Sequence, residues 1–567
     1  MKINYSSKKL VLIFLVIILF LFDANVFANT NDYKIDLKVQ SRQRHLIGNE
    51  EITIFNNSKE DLDKIYLYLG LNNSYDTRID INEVTNLDGV ILPSSFYRYK
   101  YLGKDIEDKT VYQVTLANKL LPNESIILKI RFEVNNIAKI NNITFLDDNI
   151  NNLTISAWYP RIINFENGIW QKKDFISSDY QVTVTTDDDE FALSSGIEIN
   201  SEKIKATGDK KITYKMNNTR AFSLLISDYI SSDSEKLAEG LNLKVYYKNN
   251  KAYKFNKDII DSAKEIISFY YKKLGMYPYK QINILPNNSA IKPAYANNNF
   301  IILNQNYEKY DNFKEFETKL KWELAYTIAQ QYFGYYIGES GLYPKWITSG
   351  ASLYLANSYI KEKNVNNDTF NKYIKQYINA AKTGFNTKVL QEVDNIKNTD
   401  FDWENTIEKG KSAQIFKLLE YRLGRKVLTD SLKEILVKYA NSFINTDNFE
   451  NILEEKSSKK LDSFFDQLVR ENKRLDYAIT KITQTKISNK YQVKLYVKRI
   501  GKIIMPVSIG INFKNGNKVF QTWDGEKSEE ELIYEYNEPV KSAQIDPAES
   551  LPDIDLSNNL ASVLSNL

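Results

Sequence analysis

The chain has no cysteine and a single histidine, His45, in 567 residues. The first absence excludes disulfides, thiolate nucleophiles, cysteine-ligated metals and lipid attachment to cysteine, so the fold must be held by its cores alone. The second excludes any site built on two histidines. It leaves His45 as the one imidazole available for general-base work near neutral pH. A metal here would rest on carboxylates almost alone, a donor set that suits calcium or magnesium better than zinc. Charge of one predominant sign is also lacking. Lys+Arg total 75 against Asp+Glu 72, which gives no global attraction to nucleic acid. No proline-rich linker, internal repeat or low-complexity tract interrupts the chain.

What is present reads as an ordinary folded protein: 43% hydrophobic and 26% charged residues, over a length that suggests two to four domains. One continuous apolar run, Leu10 to Phe22, is thirteen residues long, short for a membrane span. Lys2, Lys8 and Lys9 precede it, and Val26-Phe27-Ala28 offers small residues at the positions that signal peptidase reads. Residues 1–28 are therefore expected to be a signal peptide cleaved after Ala28. It would engage the membrane during export and deliver the protein to the surface or exterior of a bacterium. An uncleaved anchor is the competing reading, and Asp23 directly after the run counts against it. The Asp187-Asp188-Asp189-Glu190 run has calcium-ligand chemistry but is expected to be a solvated turn.

From Asp32 to about residue 230 apolar residues alternate with polar ones, as in "YKIDLKVQ", "EEITIFNN", "SIILKIRFEV" and "DYQVTVTT". Period two with Asn, Gly and Asp turns predicts antiparallel strands. "NKDIIDSAKEIISFYYKKLG" then has helical spacing and closes on Gly275. Residues 310 to about 475 are mainly helical, and alternation returns from about 478 in "YQVKLYVKRI" and "MPVSIGINF". The expected fold class is multidomain α+β. It comprises an N-terminal β domain at 29–232, a mainly helical domain at 233–477 and a small β-sandwich at 478–567.

Two segments carry a recognisable frame: "YTIAQQYFG" at 326–334 and "WITSG" at 346–350. They resemble H-E-x-A-H-Q-W-F-G and W-L-N-E-G of the aminopeptidase N-type gluzincins, the metallopeptidase family that also contains leukotriene hydrolase. In such sites two histidines one helical turn apart bind zinc, a Glu between them activates water, and a further Glu on the next helix completes the metal. Ala329, Gln331, Phe333, Gly334, Trp346 and Gly350 match, and eighteen residues separate Gln330 from Ser349, as the family requires between its second and third ligands. The resemblance extends to "IGNEEITIFNNS", "AWYP", "GMYPY" and "AQIDP", and thus to nearly all of the mature chain. It implies an N-terminal β-saddle, a thermolysin-like domain and a C-terminal β-sandwich.

Carried over residue by residue, the chemistry is missing. Tyr326 stands at the first zinc histidine, Thr327 at the catalytic Glu, Gln330 at the second histidine and Ser349 at the zinc Glu. The tyrosine of the Y-E-K-G segment, which assists the transition state in the family, is Ile407 here. In the counterpart of the amino-end-binding G-x-M-E-N segment, Tyr295-Ala296-Asn297, alanine replaces the Glu. An alternative register on Trp322 to Tyr326 keeps Glu323 but detaches "QYFG" and puts Lys345 at the third ligand, so it is rejected. Neutral oxygen groups are poor zinc ligands, and no base stands at Thr327. The expectation is an exported pseudopeptidase without cofactor. It would bind a peptide or an envelope protein through a groove lined by Tyr295, Ala296, Asn297, Tyr326, Thr327, Gln330, Ser349 and Ile407. The alternative is an active metallopeptidase with a non-standard site.

Overall fold

Where apolar and polar residues alternate, the chain is strand. In Asn31–Gln40 the residues Tyr33, Ile35, Leu37 and Val39 all turn inward. The computed structural model describes residues 30–563, except 41–42, 74–76, 136–137, 141–142, 146–157, 164, 167–168, 171–174, 228–230, 238–239, 248–254, 288–293, 305–309, 342–344, 391–401, 549 and 552. The N-terminal apolar run and the cleavage position after Ala28 lie outside the described residues. Within them the protein is mixed α+β and divides into two units, Met1–Ile230 and Ser231–Leu567. No helix among the described residues is long and apolar enough to cross a membrane.

The first unit is built on a seven-stranded sheet in the order Ile197–Lys203, Lys210–Thr219, Ser178–Thr186, Asn31–Gln40, His45–Phe55, Ser125–Asn135, Arg78–Asn86. One pairing is parallel, Asn31–Gln40 on Ser178–Thr186, and it sets Tyr33 beside Tyr180 with their rings stacked at 4.8 Å. A four-stranded sheet, Arg161–Ile162, Leu62–Tyr68, Lys104–Leu120 and Ser94–Tyr101, belongs to the same unit. The single histidine is held here: His45 Nδ1 meets Gln40 Oε1 and Nε2 meets Glu133 Oε2, both at 3.1 Å. The acidic run at 187–190 forms the turn between Ser178–Thr186 and Phe191–Ser194, with Asp188 ion-paired to Lys203 at 2.5 Å.

The second unit opens with a five-stranded mixed sheet ordered Ser231–Lys236, Asn242–Tyr247, Gln281–Asn287, Phe300–Asn304, Tyr295–Asn297. Its inner strands run parallel and its last, short strand antiparallel. Helix α1 (Asn256–Leu274) crosses between the second and third of these strands. It buries Ile259, Ala263, Ile266, Ile267, Tyr270 and Leu274, and ends at Gly275, whose φ of 82° only glycine adopts freely. Helices α2 (Glu317–Tyr332), α3 (Trp346–Glu362), α4 (Thr369–Lys382), α5 (Ser412–Leu423), α6 (Arg425–Lys438), α7 (Thr446–Ser457) and α8 (Asp462–Phe465) follow. Thirteen of the seventeen residues of α3 are buried, so it is the central helix and is apolar nearly all round. A three-stranded and a four-stranded antiparallel sheet occupy the region from Tyr477 onward, with Gly516 and Gly525 at positive φ in their turns. Val493, Leu495, Ile509, Ile511 and Trp523 of these sheets join the same hydrophobic core as the helices.

Candidate functional site

The frame residues fall on α2, the loop after it and α3. Helix α2 carries Tyr326, Thr327 and Gln330, and α3 carries Ser349 in its first turn. Between them the chain turns tightly. Gly334 takes φ 140° and its N–H bonds the Ile337 carbonyl at 2.8 Å, while Tyr335 N–H returns to Gln330 O at 3.2 Å. The turn is tied to α3 by Ser352 Oγ, which donates to Phe333 O at 2.9 Å. Trp346 anchors the start of α3. Its indole N–H donates to Thr446 Oγ1 at 3.1 Å, and its ring lies among Phe416, Phe449 and Phe465.

The segment Tyr295–Asn297 does lie beside α2. Gln331 Nε2 donates to Asn297 O and its Oε1 accepts from Asn299 N, both at 2.9 Å, and the Tyr335 hydroxyl bonds Ala296 O. Ala296 and Asn297 are buried, and the side chain of Tyr295 lies outside the described residues. The edge strand Tyr295–Asn297 and helix α2 are thus joined through Gln331.

At Thr327 and Ser349 the side-chain hydroxyls bond within the protein. Thr327 is fully buried, and its hydroxyl donates to Glu323 O, one turn back, at 2.7 Å. A Ser or Thr on a helix often satisfies itself in this way when no outside partner is offered. Ser349 Oγ donates to Glu408 Oε1 at 3.1 Å. Ile407 is fully buried and packs with Tyr377 and Ala381 of α4, so it belongs to the core and does not line a groove. The same holds for Thr327, Ala296 and Asn297. Of the residues expected to line a groove, Tyr326, Gln330 and Ser349 are half-buried and reach the surface.

Ile407 and Glu408 sit on a π-helical segment, Glu404–Lys411, that leads into α5. Such wide turns are rare and often mark functional positions. Here the segment brings two charged residues to α2 and α3. Lys409 Nζ pairs with Glu404 Oε1 at 2.6 Å and bonds Asn405 Oδ1 at 3.2 Å. Burial alone would lower the Lys409 pKa, but Tyr326, Tyr373 and Glu404 outweigh it and hold the ammonium above its ordinary value. Burial raises the Tyr326 phenol well above its usual range, against the pull of Lys409, so Tyr326 is a neutral hydroxyl here. Further along the segment Lys411 is buried, with Nζ donating to Thr387 O at 2.7 Å, and burial draws its pKa down to about 7.

One residue of the site escaped the sequence reading. Glu339, in the loop strand Gly338–Glu339, is buried under the first turn of α3. Its Oε2 accepts from Ile347 N at 2.8 Å, Thr348 N at 3.0 Å and Thr348 Oγ1 at 3.3 Å. It therefore caps α3 from outside the helix, since Lys345 at the N-cap position supplies no side-chain cap. Burial pushes its carboxyl up to about 8, against the two backbone N–H groups and Lys345, and Glu408 adds to the rise. The only sequence signal was an acid shortly before a helix start, which is too common to single out. Glu408 and Lys409 were legible as part of "IEKG", but their attachment to Ser349 and Tyr326 depends on the fold.

The array that results has hydroxyls, an amide, two carboxyls and a cation, and most of its capacity is spent internally. Among the described residues, only Glu450, Glu454 and Asp462 bring three acidic or imidazole groups within metal-binding distance, and none of them belongs to the frame. No protein-family model matches the chain, and no curated protein matches it.

Proposed function

We propose that the chain is an exported, degenerate member of the aminopeptidase N-type gluzincins that no longer hydrolyses peptides. On this reading it acts at the bacterial surface as a protein-binding scaffold. The observation that carries the reading is Thr327: the position where a peptidase needs a base holds a fully buried hydroxyl bonded to its own helix at 2.7 Å. A hydroxyl so placed neither takes a proton from water nor holds water against a metal. The third-ligand position supports the same reading, because Ser349 is committed to Glu408. The mixed five-stranded sheet, with its short antiparallel strand joined to α2 through Gln331, agrees with a thermolysin-like domain.

A scaffold is favoured over a peptide held deep in the old groove. Ala296, Asn297, Thr327 and Ile407, four of the eight groove positions, are core residues. What remains for contact is the rim of Tyr326, Gln330 and Ser349 together with the outer surfaces of the domains. The test has three parts: metal analysis of the purified protein, assay on a peptide panel with and without chelator, and cross-linking on intact cells. A stable protein partner with no turnover supports the proposal. Chelator-sensitive hydrolysis would return the chain to the active peptidases, and tight peptide binding without a protein partner would restore the groove.

A further inference from the structure

A second group of acids lies outside the frame, where α7 turns into α8. Glu450 and Glu454 are one turn apart on α7 and share a face. Ser458 ends the helix in the left-handed conformation, φ 54°, and the chain then returns Asp462 to that face at the start of α8. One oxygen from each of the three carboxyls lies within 4.8 Å of the other two. Glu450 is only 6% exposed. Its Oε2 meets Arg470 Nη2 at 2.6 Å, while Oε1 is buried and has no hydrogen-bond donor. A buried carboxylate oxygen without a donor is costly unless a proton or a cation satisfies it.

The charges around the cluster favour the cation. Arg470 is shared with Asp447 at 2.7 Å and Asp466 at 3.2 Å, and Lys460 pairs with Glu454 at 3.0 Å. Five carboxylates are thus served by two cations. The Lys460 side chain is 85% exposed, so its ammonium leaves Glu454 at little cost. Glu454 keeps its other oxygen on Leu461 N at 2.7 Å, which holds the carboxylate in place.

We propose that Glu450, Glu454 and Asp462 form a binding site for a calcium ion. The donor set is all oxygen and all anionic, the choice of a hard cation, and offers zinc neither nitrogen nor sulfur. Coordination habit separates calcium from magnesium: calcium accepts an irregular sphere of carboxylates and water, whereas magnesium demands a near-ideal octahedron, keeps most of its waters and takes only one or two carboxylates. Water completes the sphere on the open side, where Asp462 is exposed. The ion would pin the α7–α8 turn and supply the charge that Glu450 Oε1 lacks. With only three protein ligands the site belongs to the weak class, with Kd about 10⁻⁴–10⁻³ M.

Calorimetric titration of the purified full chain with calcium chloride tests this. The expected result is saturable one-to-one binding, weakened about tenfold or more by Asp462→Asn and by Glu454→Gln, unchanged by Glu455→Gln on the same helix, and weaker with magnesium. Asp462 is exposed, so its variant keeps the fold. Absence of binding up to about 10 mM, well beyond the weak range, overturns the proposal. So does binding that Asp462→Asn leaves intact. A Glu450→Gln variant that melts higher than wild type, in a protein indifferent to calcium, would assign the buried oxygen a proton in place of an ion.

Discussion

Replacing Gly350 by alanine asks how tightly the two-helix frame is packed. A Cβ at this position would lie 2.4 Å from Phe416 Cδ2, 2.5 Å from its Cε2 and 3.3 Å from the Ser412 carbonyl oxygen. Carbon atoms in ordinary contact stand about 3.5–4.0 Å apart, so the ring must retreat by roughly 1 Å. Phe416 is fully buried, and the rings of Trp346, Tyr354 and Phe449 lie at 6.3, 6.1 and 5.7 Å, which closes the easy directions. Overpacking of this kind costs about 1–3 kcal/mol, and this site belongs at the upper end. Exchanging glycine for alanine inside a helix returns roughly 1 kcal/mol. The net expectation is a loss of about 2 kcal/mol in urea denaturation. Phe416→Leu should relieve the clash, so the double-mutant cycle should show a favourable coupling of about 1 kcal/mol or more. A Gly350→Ala protein as stable as wild type, or one uncoupled from Phe416→Leu, would refute the close approach of α3 and α5.

Thr327→Glu places a carboxylate in a position that is fully buried; the expected loss of stability is about 3 kcal/mol or more. A loss below about 1 kcal/mol on urea denaturation would mean that the position opens to solvent. Burial lifts Glu339 from its ordinary 4.5 to about 8, so between those values the folded protein binds more protons than the unfolded chain. Its contribution to stability therefore falls as pH rises through that window, by at most about 1.4 kcal/mol per unit, and Glu339→Gln should remove this fall. Wild type gaining on the Gln variant between about pH 5 and about pH 8 would contradict the assignment. Lys411 is the opposite case. Lowered from 10.5 to about 7, it makes the folded protein bind fewer protons than the unfolded chain, so its contribution rises with pH across that window. Lys411→Met should be flat there by the same denaturation series, and a variant that kept the rise would place its source elsewhere.

Local pattern was legible wherever burial follows a simple period. Alternation in "YKIDLKVQ" put Tyr33, Ile35, Leu37 and Val39 inside, and Gly275 closes α1 as glycine closes many helices. Long-range partners were not legible. Nothing in "GESG" indicates that Glu339 reaches the first turn of α3, because the reach depends on the parallel pairing of Gly338–Glu339 with Phe443–Ile444. Ile407 was assigned to a groove through the resemblance of "IEKG" to Y-E-K-G, which carries no information on burial, and it packs against Tyr377. The acids of α7 and α8 were missed because Glu450, Glu454 and Asp462 meet only after the turn at Ser458.

The proposed function requires that the sites at Tyr326, Gln330 and Ser349 hold no catalytic metal. The most direct measurement is zinc content of the purified protein by mass spectrometry, taken together with hydrolysis of aminopeptidase substrates. The expected result is zinc far below one equivalent and no turnover that a chelator removes. One equivalent of zinc, with hydrolysis abolished by Thr327→Ala, would contradict the account.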